Sequence, residues 1–194
     1  GEIIPLRPFV VNLDNRTATT PMDAGMASYD ASTKDFWFAC NPNGDPNQEA
    51  VCSYPASKAE KAATIKVFSW SYDKSYTMTS IDYSKALKGV VVLAQSYGDM
   101  KSQQATKLLF ADPSKPDQKD WATIVNLPQS VGSLHQGTMS PSGRYYSVVL
   151  EVGTDPLYPA EDVIMVDVVA KKIIKHVHAQ HTEKDISVLN AFSC

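Results

Sequence analysis

Long apolar runs are missing from this chain. No stretch approaches the roughly 20 residues that a membrane-spanning helix needs, so no such span is expected. Charge of one sign is scarce too: 18 Lys and Arg against 21 Asp and Glu leave a net charge of −3. That balance gives no electrostatic case for nucleic acid or an anionic membrane surface. Phosphate-cradling loops are absent, since neither G-x-x-x-x-G-K-[ST] nor G-x-G-x-x-G occurs. The G-x-S-x-G elbow is absent as well, and no Ser or Cys stands in a recognisable nucleophile setting. Only four His and three Cys are available for metal or redox chemistry. Convincing helices are lacking: Ala56–Ala63 has helical composition but only about two turns, so a loop is expected there. The chain starts at Gly1 with no visible leader, which reads as a processed or excised chain.

What is present is a series of short strand-like runs in a chain of 194 residues, enough for one good-sized core. Leu134 to His178 is the clearest stretch. There Met139-Ser140-Pro141-Ser142-Gly143-Arg144 leads into Tyr145-Tyr146-Ser147-Val148-Val149-Leu150, and after a loop come Val163–Asp167 and Lys172–Val177. Pro presets φ for a turn and Gly tolerates positive φ, so Pro-Ser-Gly marks a tight turn, and the runs after it make an antiparallel meander. Earlier segments read as weaker copies. Phe9–Asp14, Met26–Asp30 and Phe36–Cys40 are strands, and Thr64–Trp70 alternates at period two. Thr79–Tyr83, Gly89–Ala94, Lys107–Asp112 and Trp121–Leu127 form a second set, with Tyr97–Thr106 a polar loop and Pro128 ending the last strand. Ile186–Phe192 is a final strand after a turn at His181–Asp185. Strand starts at Phe36, Val90 and Tyr145 recur about every 55 residues, and apolar-x-Asp ends at Asp112 and Asp167 keep the same step.

The Ser-Pro-x-Gly-Arg turn at 140–144 and the strand end Met165-Val166-Asp167, set against a blade's Val-x-Asp, resemble one blade of a β-propeller of the YVTN or WD-repeat kind. The resemblance implies an all-β fold of antiparallel four-stranded blades. The chain is then a single propeller-like domain, or part of one, over residues 1–194, with units at roughly 21–78, 79–133 and 134–180. Propellers close with four to eight blades. About three and a half copies therefore predict a partial propeller, completed by the chain's own first strands, by another chain, or by the rest of a longer protein. The strand count also allows a two-sheet β-sandwich.

Cys40 and Cys52 bracket the polar loop Asn41–Glu49, and a disulfide there would staple a loop too polar to pack. Two unpaired buried thiols are the alternative, and Cys194 is left over. With the sequon Asn15-Arg16-Thr17, the cysteines point to a secreted or periplasmic protein. Residues two apart on a strand share a face, so His176 and His178 can present two imidazoles to Zn²⁺ or Cu²⁺, with His181 as a third. The sequence fixes no acid beside them. Solvated residues on an edge strand are the competing reading. Asn41, Asn43, Asp45, Asn47 and Glu49 alternate around Gly44 as oxygen ligands do in calcium loops, although neutral amides outnumber carboxylates. Asp155, Glu161 and Asp162 make a third acidic loop, and His135, just before a strand, would face a propeller's central channel.

These features predict a non-catalytic, extracytoplasmic binding or assembly module with a protein partner or self-association, no nucleic acid and no firm cofactor. A propeller lyase, hydrolase or dehydrogenase subunit with its site at the central channel is the first alternative. A metal-binding protein using the C-terminal His cluster is the second. An enzyme should gather His135 or the His176–His181 group with carboxylates in a deep pocket, whereas a binding module should leave them dispersed.

Overall fold

The structure, a computed structural model, describes residues 10–12, 17–19, 27–40, 50–55, 66–69, 76–96, 104–116, 121–131, 137–153 and 160–180. Among these there is no helix, and no helix long and apolar enough to cross a membrane. A short hairpin, β1 (Val10–Asn12) and β2 (Thr17–Thr19), precedes three antiparallel four-stranded sheets. The first sheet holds β3 (Ala27–Asp30), β4 (Asp35–Cys40), β5 (Ala50–Pro55) and β6 (Lys66–Ser69). The second holds β7 (Tyr76–Ser84), β8 (Gly89–Ser96), β9 (Gln104–Ala111) and β10 (Ala122–Ser130). The third holds β11 (Gly137–Met139), β12 (Tyr145–Glu151), β13 (Ala160–Asp167) and β14 (Lys172–Gln180). Each is a meander in chain order. Second strands start at Asp35, Gly89 and Tyr145 and third strands at Ala50, Gln104 and Ala160, separated both times by 54 and then 56 residues.

One turn device recurs. Asp30 closes the β3–β4 turn by accepting hydrogen bonds from the backbone and hydroxyls of Ser32 and Thr33, at 2.6 to 3.2 Å. Ser84 accepts the Leu87 amide at 3.1 Å in the β7–β8 turn, and Asp167 accepts those of Val169 and Ala170 at 3.1 and 2.9 Å in the β13–β14 turn. Short polar side chains at this position replace ladder partners the turn lacks. The last turn residue is then left-handed: Lys34, Lys88 and Lys171 have φ of 59, 55 and 53°. A residue with a β-carbon is disfavoured there by roughly 1–2 kcal/mol, offset in part by its lower unfolded-state entropy relative to Gly. Changing all three to Gly is therefore expected to raise the midpoint of thermal unfolding by about 4 °C. A scan in which the triple variant melts at or below the parent temperature contradicts this.

The sheets stack through alternate side chains of β8. Val90, Val92 and Ala94 join Trp37 and Val51 of the first sheet, with Ile81, Leu109 and Trp121 closing that core. Val91 and Leu93 point the other way, with Leu108, Ile124 and Leu127, onto Tyr146, Val148, Leu150, Ile164 and Val166 of the third sheet. Every residue from Val90 to Ala94 is 0% exposed, which explains why this strand reads as a continuous apolar run instead of alternating. Trp37 stacks on Tyr83 across the first interface, ring centres 5.6 Å apart, and the Tyr83 amide donates to Ser28 Oγ at 3.2 Å. At the second interface, Ser84 Oγ donates to the Gly143 carbonyl.

Three sheets with a doubly covered centre are a different arrangement from a two-sheet sandwich. The polar loop expected over Tyr97–Thr106 is shorter than predicted, because Gln104 and Thr106 are buried in β9. Thr106 Oγ1 meets Ser130 Oγ at 2.8 Å, and Gln95 Nε2 donates to that same oxygen at 3.0 Å. Nor does Pro128 end its strand: β10 runs on to Ser130. Proline is tolerated because β10 is an edge strand and its register slips between Leu127 and Ser130, so no ladder amide is missed. Strand β5 follows the cysteine-bracketed loop directly and was not foreseen. Cys40 and Cys52 are joined as a disulfide between neighbouring strands β4 and β5, Cα atoms 6.0 Å apart. Expected features at Ala56–Ala63, His181–Asp185 and Ile186–Phe192 lie outside the described residues.

Candidate functional site

Two clusters of polar side chains stand out, and the sequence pointed to one of them. In the third sheet Asp162 lies directly across from His178, and Ile164 from His176, so all four side chains share the face turned toward the second sheet. Asp162 Oδ2 is 2.7 Å from His176 Nε2, and Asp162 Oδ1 is 2.7 Å from His178 Nδ1. The carboxylate is buried, at 7% side-chain exposure, while the two imidazoles stand 43% and 59% exposed. In the neutral tautomer that offers one N–H to the carboxylate, the other ring nitrogen, His176 Nδ1 or His178 Nε2, carries a lone pair.

This is the acid that the sequence did not place beside the histidines. It was visible as Asp162, but grouped with a loop. Glu161 and Asp162 belong instead to strand β13, because its ladder with β12 runs through Leu150↔Asp162 to Glu151↔Glu161. Only strand register, which no local pattern reveals, brings Asp162 to the histidines. Each imidazole takes its own carboxylate oxygen, so the carboxylate separates the rings. No group of three His, Cys, Asp or Glu among the described residues is placed to hold a metal ion. His181, the candidate calcium ligands Asn41, Asn43, Asp45, Asn47 and Glu49, the loop residue Asp155 and the channel candidate His135 lie outside the described residues.

The second cluster was missed. It sits where β7 meets β11, between the second and third sheets. Ser80 and Asp82 are two apart on β7 and share a face. Ser80 Oγ lies 3.3 Å from Asp82 Oδ2 and 3.5 Å from the Gly137 carbonyl oxygen. Asp82 keeps some surface as a residue, but the desolvation acts on its carboxylate, and the charge has no ion pair among the described residues. Burial pushes its pKa up to about 7, against the hydrogen bonds from Ser80 and the Met139 amide that favour the ionised form. Tyr146, 0% exposed, turns its ring over Gly137, where a β-carbon would overlap the phenol. The Tyr146 hydroxyl has no hydrogen-bond partner among the described residues. Ser80 comes close enough to ease its ionisation slightly without meeting hydrogen-bond geometry, while burial and the Asp82 charge hold the phenol well above its ordinary range. An orphaned buried hydroxyl such as that of Tyr146 is rare in native proteins. Thr-Ser-Ile-Asp-Tyr reads locally as an ordinary alternating strand, so the one available signal was an Asp two residues from a Ser on it.

A third polar pair serves the fold. Arg144 donates through Nε and one terminal nitrogen to Asp167 Oδ2, at 3.0 and 2.8 Å, and holds that carboxyl below its usual range. No protein-family model matches this sequence, and no curated protein is significantly similar to it.

Proposed function

We propose that the chain is a non-catalytic, propeller-like binding or assembly module of an oxidising compartment, with the three stacked meanders as blades, and that it associates with a second copy of itself. The observation that carries this reading is the outer face of the third sheet. Among the described residues, four of the five exposed large apolar ones are in that sheet or its turns: Tyr145 at 36%, Val169 at 48%, and Ile174 and Val177 at 43% each. Cross-strand pairing builds three rows on the outer face, Ser147–Met165–Lys175, Val149–Val163–Val177 and Glu151–Glu161–Ala179. A two-fold axis lying across the strands at the valine row sets the glutamates of one copy against Lys175 of the other, with apolar rows between. The Cys40–Cys52 bridge favours an oxidising compartment.

Catalysis has less behind it. The histidines meet a carboxylate on an exposed edge strand, and an enzyme calls for a deep pocket. Sedimentation at rising concentration tests the module directly. The expected particle at ~100 μM is twice the 21.2 kDa chain. Val177→Glu, at an exposed position that leaves the core untouched, should return it to one chain. A parent protein that stays at single-chain mass over the whole range defeats the self-association reading.

A further inference from the structure

The cluster between β7 and β11 has no part in that association, and its geometry suits an ion. We infer that Ser80 Oγ, the Asp82 carboxylate, the Gly137 carbonyl and the Tyr146 hydroxyl form a site for a hard cation of sodium or calcium size.

The donors are all oxygens, and one of them carries the single negative charge of the cluster. Oxygen-only sets select hard cations over the transition metals that prefer imidazole or thiolate. The distances agree with this better than with hydrogen bonding. A hydroxyl donating to oxygen settles near 2.7–2.8 Å, whereas Ser80 Oγ stands 3.3 Å from Asp82 and 3.5 Å from the Gly137 carbonyl. Two oxygens at right angles about an ion, each about 2.4 Å from it, are separated by roughly 3.4 Å. The fully buried Tyr146 hydroxyl, which finds no hydrogen-bond partner among the described residues, is the independent sign that something else completes the cluster. Asp82, half-buried and without an ion pair among the described residues, supplies the one negative charge that such a cation would balance. Sodium and calcium share the size, and the salt series below separates them.

Thermal unfolding at pH 8 and constant ionic strength, with choline chloride replaced stepwise by NaCl or by CaCl₂, tests the site. One of the two ions should raise the midpoint by at least about 3 °C at saturation, the shift expected when that ion reaches roughly 10–100 times its dissociation constant. Asp82→Asn should abolish the response. Tyr146→Phe, which deletes one donor and keeps the ring, should move the titration to about tenfold higher concentration. Circular dichroism of both variants in choline chloride checks that they are folded, and Ser80→Ala serves where one is not. Equal midpoints in choline, sodium and calcium overturn the inference, as does a response that survives Asp82→Asn unchanged.

Discussion

Gly143→Ala is expected to cost about 4 kcal/mol of stability through the addition of a single carbon. Two effects add. Gly143 has a φ of 72°, where a β-carbon is disfavoured by roughly 1–2 kcal/mol. Its missing side chain also faces the neighbouring sheet: a β-carbon would overlap the Lys85 amide nitrogen and press on that of Ala86. These are backbone atoms of the β7–β8 turn, so no rotamer change relieves the overlap. The sheets would have to part, and overpacking of this kind costs about 1–3 kcal/mol. Parting them also loosens the bond from Ser84 Oγ to the Gly143 carbonyl. The lysines provide the control. Lys34 and Lys171 already hold side chains at φ near +55°, so alanine at either should move stability by only a few tenths of a kcal/mol. Urea unfolding with the disulfide intact measures all three, and a loss below about 1 kcal/mol at Gly143 means that the turns do not press on each other.

The second large effect depends on pH. Asp82 has a folded pKa of about 7 against an ordinary 3.8. The folded protein therefore binds this proton more tightly than the unfolded chain does. The associated stability is fully present below pH 3.8 and is lost as pH rises through 7. The full difference corresponds to about 4 kcal/mol, and the surface that Asp82 retains reduces this to roughly 3–4 kcal/mol at pH 8 to 9. Asp82→Asn should thus match the parent near pH 4 in choline chloride and exceed it by that margin at pH 8. Asp30, Asp112 and Asp167 act in the opposite sense. Burial works against ionisation of Asp30, but its hydrogen bonds from Thr33 and Ser32 prevail and lower its pKa. Hydrogen bonds from Ser114 and from Arg144 lower Asp112 and Asp167. Their contribution is present above the ordinary carboxylate range and disappears as pH falls through their depressed values. The parent protein should consequently be most stable near pH 4 to 5, an unusually acid optimum. Parallel profiles for parent and Asp82→Asn from pH 4 to 9 rule out a perturbed Asp82.

Much of the fold could be read from local pattern, because strands announce themselves by β-branched runs bounded by turn residues. Gly89–Ala94 and Tyr145–Leu150 are of this kind, and both are strands of nearly those bounds. The Cys40–Cys52 pairing was legible as well, since a polar loop between two cysteines has few other ways to be held. Where the reading failed, the deciding facts were non-local. Ala50–Pro55 mixes small, polar and aromatic residues, and it is a strand because β4 and β6 flank it. Gln104 and Thr106 look like loop residues until Gln95 and Ser130 come alongside. The polar clusters follow the same rule. His176 and His178 could be picked out as a pair two apart, whereas Asp162 joins them only through register and Asp82 meets Tyr146 only through sheet-on-sheet packing.

The doubly buried second sheet sets a constraint on how the protein can be made. A ribosome releases β7–β10 before β11 has emerged, so Val91, Leu93, Leu108 and Ile124 wait with their partners still unsynthesised. During that interval the nascent chain carries an apolar surface with no native cover. Chaperones that shield apolar surfaces are therefore expected to engage this polypeptide late in its translation, once the second meander is out and until the third has docked.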